Sequence, residues 1–122
     1  MAITFENALG VHPEALNFRV QRTKVLASNL ANVDTPGYLA KDLSFTTVMN
    51  QMSTNGVSNS VPKLQVQAQA QYSVPYQNSK DGNTVELGVE QAKFTQNNMD
   101  FQTSLTFLNM KFNGLAKAIE GR

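Results

Sequence analysis

Residues 94–119 read FTQNNMDFQTSLTFLNMKFNGLAKAI, and the spacing of their apolar side chains decides the fold. Phe94, Asn98, Phe101, Leu105, Leu108, Phe112, Leu115 and Ile119 follow in alternating steps of four and three, a heptad seam with one polar position at Asn98. The pattern predicts a helix from about Gly88 to Ile119. At about 1.5 Å per residue it is roughly 45 to 50 Å long. Helices of that length exceed what a compact small domain ordinarily uses, so the seam points to coiled-coil-like pairing. Ala92, Met99, Thr106 and Met110 form a second, mostly apolar strip, and a helix with two such strips has more than one partner. Gln91, Gln96, Asn97, Gln102, Asn109 and Asn113 place amides where an exposed helix ordinarily carries Glu–Lys pairs. Such a row is either a plain solvated face or a packed, pore-lining face that stays wet without charge.

Upstream, residues 5 to 33 also carry helical spacing, through Leu9, Leu16, Val20, Thr23, Ala27 and Leu30. Pro13 falls near the first turn, where a missing N–H costs little. Arg19, Arg22 and Lys24 lie mostly off that stripe. Between the helices the chain reads as extended. Asn50 to Pro62 is rich in Ser, Thr, Asn and Gly and reads as a loop or tip. Leu64, Val66, Ala68, Ala70, Tyr72 and Val74 then alternate with Lys63 and a row of Gln at strand period, ending at Pro75. Leu43, Phe45 and Thr47 supply a candidate opposing strand. The expected fold is mainly α: long N- and C-terminal helices paired as a coiled-coil-like core, with an extended, partly β or loop-like middle. Its three zones, residues 1–33, 34–82 and 83–122, form one domain by length.

Composition narrows the function. The 122 residues include ten basic and nine acidic ones, a net charge of +1. A phosphate-backbone binder needs a basic face, so nucleic acid is not an expected partner. No cysteine is present, which excludes disulfides, thiolate metal sites and a Cys nucleophile. His12 is the only histidine, and its place beside Pro13 suits a helix start better than a catalytic base. Asp34-Thr35-Pro36-Gly37 superficially resembles an aspartic-protease loop, but Pro36 stands where Gly is required and no facing carboxylate is evident. No phosphate-binding glycine loop occurs, and the acidic residues are too dispersed for a metal cage. No catalysis and no cofactor are expected. The first ten residues lack the basic and apolar regions of a cleaved secretory signal. Nothing approaches the roughly eighteen apolar residues of a membrane span.

One short segment is specific: Ser28-Asn29-Leu30-Ala31-Asn32-Val33-Asp34-Thr35-Pro36-Gly37-Tyr38. Asp34 and Thr35 compete for backbone hydrogen bonds, and Pro36 pushes Thr35 out of helical geometry. Pro36-Gly37 suits a type II turn, and Tyr38 adds an anchor with a polar tip. Asn29 and Asn32 project amides from the last helical turn, where they can hold the outgoing chain.

This segment resembles the N-terminal signature of the flagellar axial family of rod, hook and hook-associated subunits. The matching positions are Asn29, Ala31, Asn32, Thr35, Gly37 and Tyr38, with Ser28 where the family has Ala. Asp81-Gly82-Asn83-Thr84-Val85-Glu86-Leu87 is similar to the approach to the last helix in the family's proximal-rod members. So is Glu14-Ala15-Leu16-Asn17, with Arg19 and Arg22 after it, to their first helix. Gly88 departs from the pattern, standing where the family usually has Asp. The resemblance covers both ends of the chain, about two-thirds of it. It implies a structural subunit of the proximal rod of the flagellar basal body, polymerising with other rod proteins into a hollow shaft that transmits torque. Implied partners are copies of itself, other rod proteins, the junction protein between rod and membrane ring, and the flagellar type III export apparatus. The implied location is the periplasmic rod, reached without a cleaved signal. The last helix would line the channel with its amides, while Leu9, Leu16, Val20 and Leu30 meet the seam from Phe94 to Ile119. Phe5-Glu6-Asn7-Ala8-Leu9 resembles the Phe-x-x-x-apolar element of early export substrates, although a hydrophobic contact at a helix start explains Phe5 and Leu9 equally well. A type III needle-like subunit or helical adaptor is the alternative, and it leaves the Asn-Thr-Pro-Gly-Tyr turn unexplained.

Overall fold

The structure, a computed structural model, describes residues 8–55 and 70–121, and of 51–55 the helical backbone alone. Phe5, the alternating residues Leu64, Val66 and Ala68, and the 56–62 part of the expected loop lie outside the described residues. The elements in chain order are α1 (His12–Ala31), β1 (Lys41–Leu43), α2 (Phe45–Asn55), β2 (Ala70–Tyr72) and α3 (Leu87–Glu120).

Gly10, at φ +62°, lets the chain turn between the helical residues Ala8 and Leu9 and the start of α1. Pro13 occupies the first turn of α1, and Glu14 complements the positive end of its dipole. In α3, Glu90 sits in the first turn and Lys117 in the last, and Gly121 at φ +72° closes the helix. With 34 residues, α3 is about 51 Å long. The two helices pack antiparallel in steady register. His12 lies 6.1 Å from Phe107, Arg19 pairs with Asp100 at 3.3 Å, Asn97 reaches Thr23 at 2.8 Å, and Asn29 reaches Glu90 at 3.0 Å. From Phe107 to its end at Glu120, α3 therefore runs on for about 20 Å past the start of α1.

On its other side α1 carries the middle segment. Phe18, Leu43 and Val48 form a buried cluster with Val25 and Phe45 packed against it. The Arg19 guanidinium lies 4.6 Å from the Phe45 ring centre and 5.4 Å from that of Phe18. β1 and β2 form an antiparallel pair, with Lys41 opposite Tyr72 and Leu43 opposite Ala70. The strand expected through Leu43, Phe45 and Thr47 is thus cut short, because Phe45 begins α2 and Thr47 is helical, and the loop expected from Asn50 is helical as far as Asn55. As a helix, α2 buries Val48 and turns Phe45 toward Phe18, with ring centres 5.2 Å apart. A strand's strict alternation would send successive side chains to opposite faces.

The seam of α3 is half of what the spacing predicts. Phe94, Phe101, Leu108 and Leu115 are all half-buried. Their expected companions are outward: Asn98 is exposed, as are Leu105 (39%), Phe112 (41%) and Ile119 (86%). The row that faces inward instead is Glu90, Asn97 and Ser104, one heptad apart, the first two buried and Ser104 half-buried. The buried amide is therefore Asn97 and not Asn98. Heptad spacing fits both rows equally, and hydrogen-bonding partners on α1 decide between them. On α1, Leu9 is buried and Leu16 and Leu30 half-buried, but Val20 is 40% exposed and Ala27 is exposed. Phe18, Leu26 and Asn29 are the buried positions instead. Arg19 and Arg22 retain only 14% and 15% side-chain exposure, because each meets a carboxylate.

Candidate functional site

The distinctive geometry lies where α1 ends and α3 begins. At the end of α1, the Asn32 N–H is shared between the carbonyls of Ser28 and Asn29, and its side-chain amide donates back to Ser28 O at 2.7 Å. Asn32 Oδ1 in turn accepts from the Thr35 hydroxyl at 3.1 Å. The helix is thereby closed by its own asparagine, in the manner of a side chain competing with the backbone ladder. Thr35 to Tyr38 then form a turn closed by Tyr38 N–H to Thr35 O at 3.3 Å. Gly37 stands at φ +72°, the conformation required after Pro36 in a type II turn. The Tyr38 hydroxyl returns to α1, 3.1 Å from Ser28 Oγ and 3.5 Å from Asn29 Oδ1.

The segment before α3 wraps this turn. Asn83, 5% exposed, directs its side-chain amide at three carbonyls of the outgoing chain: Asn32 at 3.0 Å, Val33 at 2.8 Å and Thr35 at 2.9 Å. Its own Oδ1 accepts from Val85 N–H at 2.8 Å. Gly37 N–H donates to Asp81 O, Thr84 N–H to Tyr38 O, and Ala40 N–H to the Thr84 hydroxyl. Gly82, at φ +75°, lies so close that a Cβ there would stand 3.8 Å from Gly37 Cα. Asp81 accepts from Ser79 and from Asn83 N–H, and these bonds hold its carboxyl below the ordinary value.

Beneath the turn runs a polar network. Asn29, fully buried, donates to Lys41 O at 2.7 Å and to Glu90 Oε2 at 3.0 Å, and accepts from Lys41 N–H at 3.1 Å. Lys93 bridges Glu90 (3.6 Å) and Asp42 (3.9 Å), and Arg22 grips Asp42 through two bonds of 2.9 and 3.1 Å. Asn29 thus joins α1, β1 and α3 at one point. Burial lowers the Arg19 pKa despite its Asp100 partner.

Asn29, Asn32, Thr35, Gly37 and Tyr38 are brought together in this knot, with Ala31 and Pro36 exposed on its surface. Of the expected channel-facing amides, Gln91, Gln96, Gln102, Asn109 and Asn113 are exposed. Asn97 is not: it is fully buried and donates to Arg19 O and Thr23 Oγ1 at 3.0 and 2.8 Å, so it belongs to the seam. Asn83 lies in a segment legible in the sequence, but the carbonyls it holds are not legible there, nor are the roles of Glu90, Asp42 and Lys93. Their signal, single charges on a helix and a short strand, is indistinguishable from solvated residues until the partners are in place. Among the described residues no group of three or more His, Asp or Glu is placed to hold a metal, and no helix is long and apolar enough to cross a membrane.

A family model described as flagella basal body rod protein matches residues 9–38, the first helix and the turn. The chain is 40% identical to the flagellar basal body rod protein FlgB of Aeromonas hydrophila, across 99% of this chain and 98% of that protein. It is 40% identical to FlgB of Cereibacter sphaeroides over 96% of this chain and 97% of the relative. Against FlgB of Salmonella typhimurium the identity is 37%, over 93% and 94%.

Proposed function

Because the chain belongs to the FlgB family of flagellar basal body rod proteins, we propose that its paired helices are the unit from which a hollow, torque-transmitting proximal rod is stacked. It is a structural subunit of the rod in the flagellar basal body and assembles with other rod components. The observation that carries the finer reading is the far half of α3. There Phe107, Met110 and Ile119 are 50%, 62% and 86% exposed. Single exposed apolar residues are ordinary, but several along one stretch of helix mark an interaction surface. In this reading helices of neighbouring subunits cover them from more than one side, since Met110 and Ile119 lie on opposite faces of α3. Burying each large side chain contributes about 1.5–3 kcal/mol.

The remaining assignments follow from the same arrangement. The exposed amides of α3 line the export channel, wetting it without charge that would hold a passing chain. The knot at residues 28–38 and 81–84 makes the subunit stiff, because it ties the end of α1 to the start of α3 and the two helices then turn as one body. Copies of the chain, other rod proteins and the junction protein to the membrane ring are its neighbours. It reaches the periplasmic rod through the type III export apparatus without a cleaved signal, and it performs no catalysis. The near-full-length relatives favour this reading over a needle-like subunit or adaptor.

The test places a charge in the half-buried row of α3 formed by Phe94, Phe101, Leu108 and Leu115. Phe101→Asp and Leu108→Asp should abolish motility and leave basal bodies without a completed rod, since burying an unpaired carboxylate costs several kcal/mol. Motile cells with normal rods in either variant would sink the packing mechanism.

A further inference from the structure

We propose that Glu90 and Asn97 select which face of α3 the chain's own α1 occupies. α3 offers two seams that share the row Phe94, Phe101, Leu108 and Leu115. Where it faces α1, one seam adds Glu90, Asn97 and Ser104; the other adds Gln91, Asn98 and Leu105, and continues through Phe112 and Ile119 past the start of α1. Exchanging them requires α3 to turn about its axis by about 50°, half of the roughly 100° between successive residues. Along the stretch of α3 that faces α1, which reaches only to about Phe107, the second seam is the more apolar by one position. It sets Leu105 where the first sets Ser104, and Gln91 and Asn98 where the first sets Glu90 and Asn97. The chain nevertheless pairs on the first, with Glu90 2% and Asn97 0% exposed while Leu105 stays 39% exposed.

What distinguishes the seams is hydrogen bonding at two points seven residues apart. Glu90 Oε2 accepts from Asn29 at 3.0 Å, and its other oxygen lies 3.6 Å from Lys93. Asn97 donates to Arg19 O and to Thr23 Oγ1 across the interface. Turning α3 onto its apolar row would carry both side chains away from these partners and leave a buried carboxylate and amide to find water. The arrangement is held at a cost to stability: Asn97 Oδ1 and Arg19 Nε are buried without a hydrogen-bond partner among the described residues. A buried polar residue that weakens a helix pair while fixing its alignment is the best-attested role for polar groups in such seams. Glu90 and Asn97 are therefore positioning residues. One consequence rests on the assembly reading above: by drawing α1 to the polar row, they leave Leu105 outward for a helix from another subunit.

Seam choice is testable on the purified chain, which has no native cysteine. Thiol labelling of Asn98→Cys and of Ser104→Cys reads the two seams, with position 98 expected to react at least tenfold faster than 104. In a Glu90→Ala/Asn97→Ala background the hydrogen bonds are lost with little apolar gain, and the ratio should fall to unity or invert while the helical circular dichroism persists. A Glu90→Leu/Asn97→Leu background should restore the parent ratio, because the first seam is then apolar. An unchanged ratio in the alanine background would overturn the proposal. So would loss of helix there with equal fast labelling, which would make the two residues ordinary stability contacts, and so would a leucine background that fails to restore the ratio. Because no rod is needed, failure here leaves the assembly reading standing, and a rod defect with the expected labelling would count against that reading alone.

Discussion

Removing the side-chain amide of Asn83 is expected to loosen the knot between the helices by an amount that its geometry sets. Its two N–H groups serve three carbonyls at 2.8 to 3.0 Å, and its Oδ1 holds Val85 N–H at 2.8 Å, all at 5% exposure. Counting two full donor bonds and one acceptor bond at about 1 kcal/mol each gives roughly 3 kcal/mol. Thr35 is exposed, so water can replace part of this, and Asn83→Ala should cost about 2–3 kcal/mol, near 10 °C in melting temperature for a chain of this size. Asn83→Asp sharpens the test. It keeps the shape and the acceptor for Val85 but aims a second oxygen at three carbonyl oxygens, so it should cost at least ~1 kcal/mol more than alanine. Urea unfolding of the purified chain, followed by circular dichroism at neutral pH, measures both. An aspartate variant as stable as the parent, or an alanine variant within about 0.5 kcal/mol of it, would refute the reasoning.

Two further outcomes bear on the same region. The folded-state pKa of Asp81 lies below its unfolded value, held there by Ser79 and Asn83 N–H. Its contribution is therefore complete above the ordinary carboxylate range near pH ~4 and is lost as pH falls through the lower folded value. The stability difference between parent and Asp81→Asn should shrink between neutral pH and pH ~3, and a difference that stays constant would contradict this. Gly82→Ala places a Cβ at φ +75°, so it should cost about 1–2 kcal/mol from the left-handed backbone alone; an unchanged urea midpoint would show that the loop relaxes freely.

Periodicity made the two helices legible, because side chains at three- and four-residue steps report a helix whatever its partner. It could not choose between rows 97 and 98 of α3, since adjacent heptad rows have the same spacing. That choice depends on the Thr23 hydroxyl and the Arg19 carbonyl, 74 and 78 residues away. Arg19 and Arg22 were read as lying off the buried stripe for a related reason. A charge is buried only when a distant carboxylate receives it, as Asp100 and Asp42 do here. Phe45 and Thr47 fitted a strand pattern too short to exclude a helix, and packing of Phe45 on Phe18 decided the matter. The Ser28–Tyr38 turn was legible because Pro36 and Gly37 restrict the backbone locally. The hold of Asn83 on it was not, because a side-chain amide carries no sequence sign of which carbonyls it will meet.

Cryo-electron microscopy of basal bodies purified from cells that produce the chain would show whether this helix pair is a building unit of the flagellar rod. Density for the antiparallel α1–α3 pair is expected within the rod, with the Asn83-bound turn at one end and helices of neighbouring subunits against Phe107, Met110 and Ile119. Rod density that accommodates no such pair, or finds this chain only outside the rod, would contradict it.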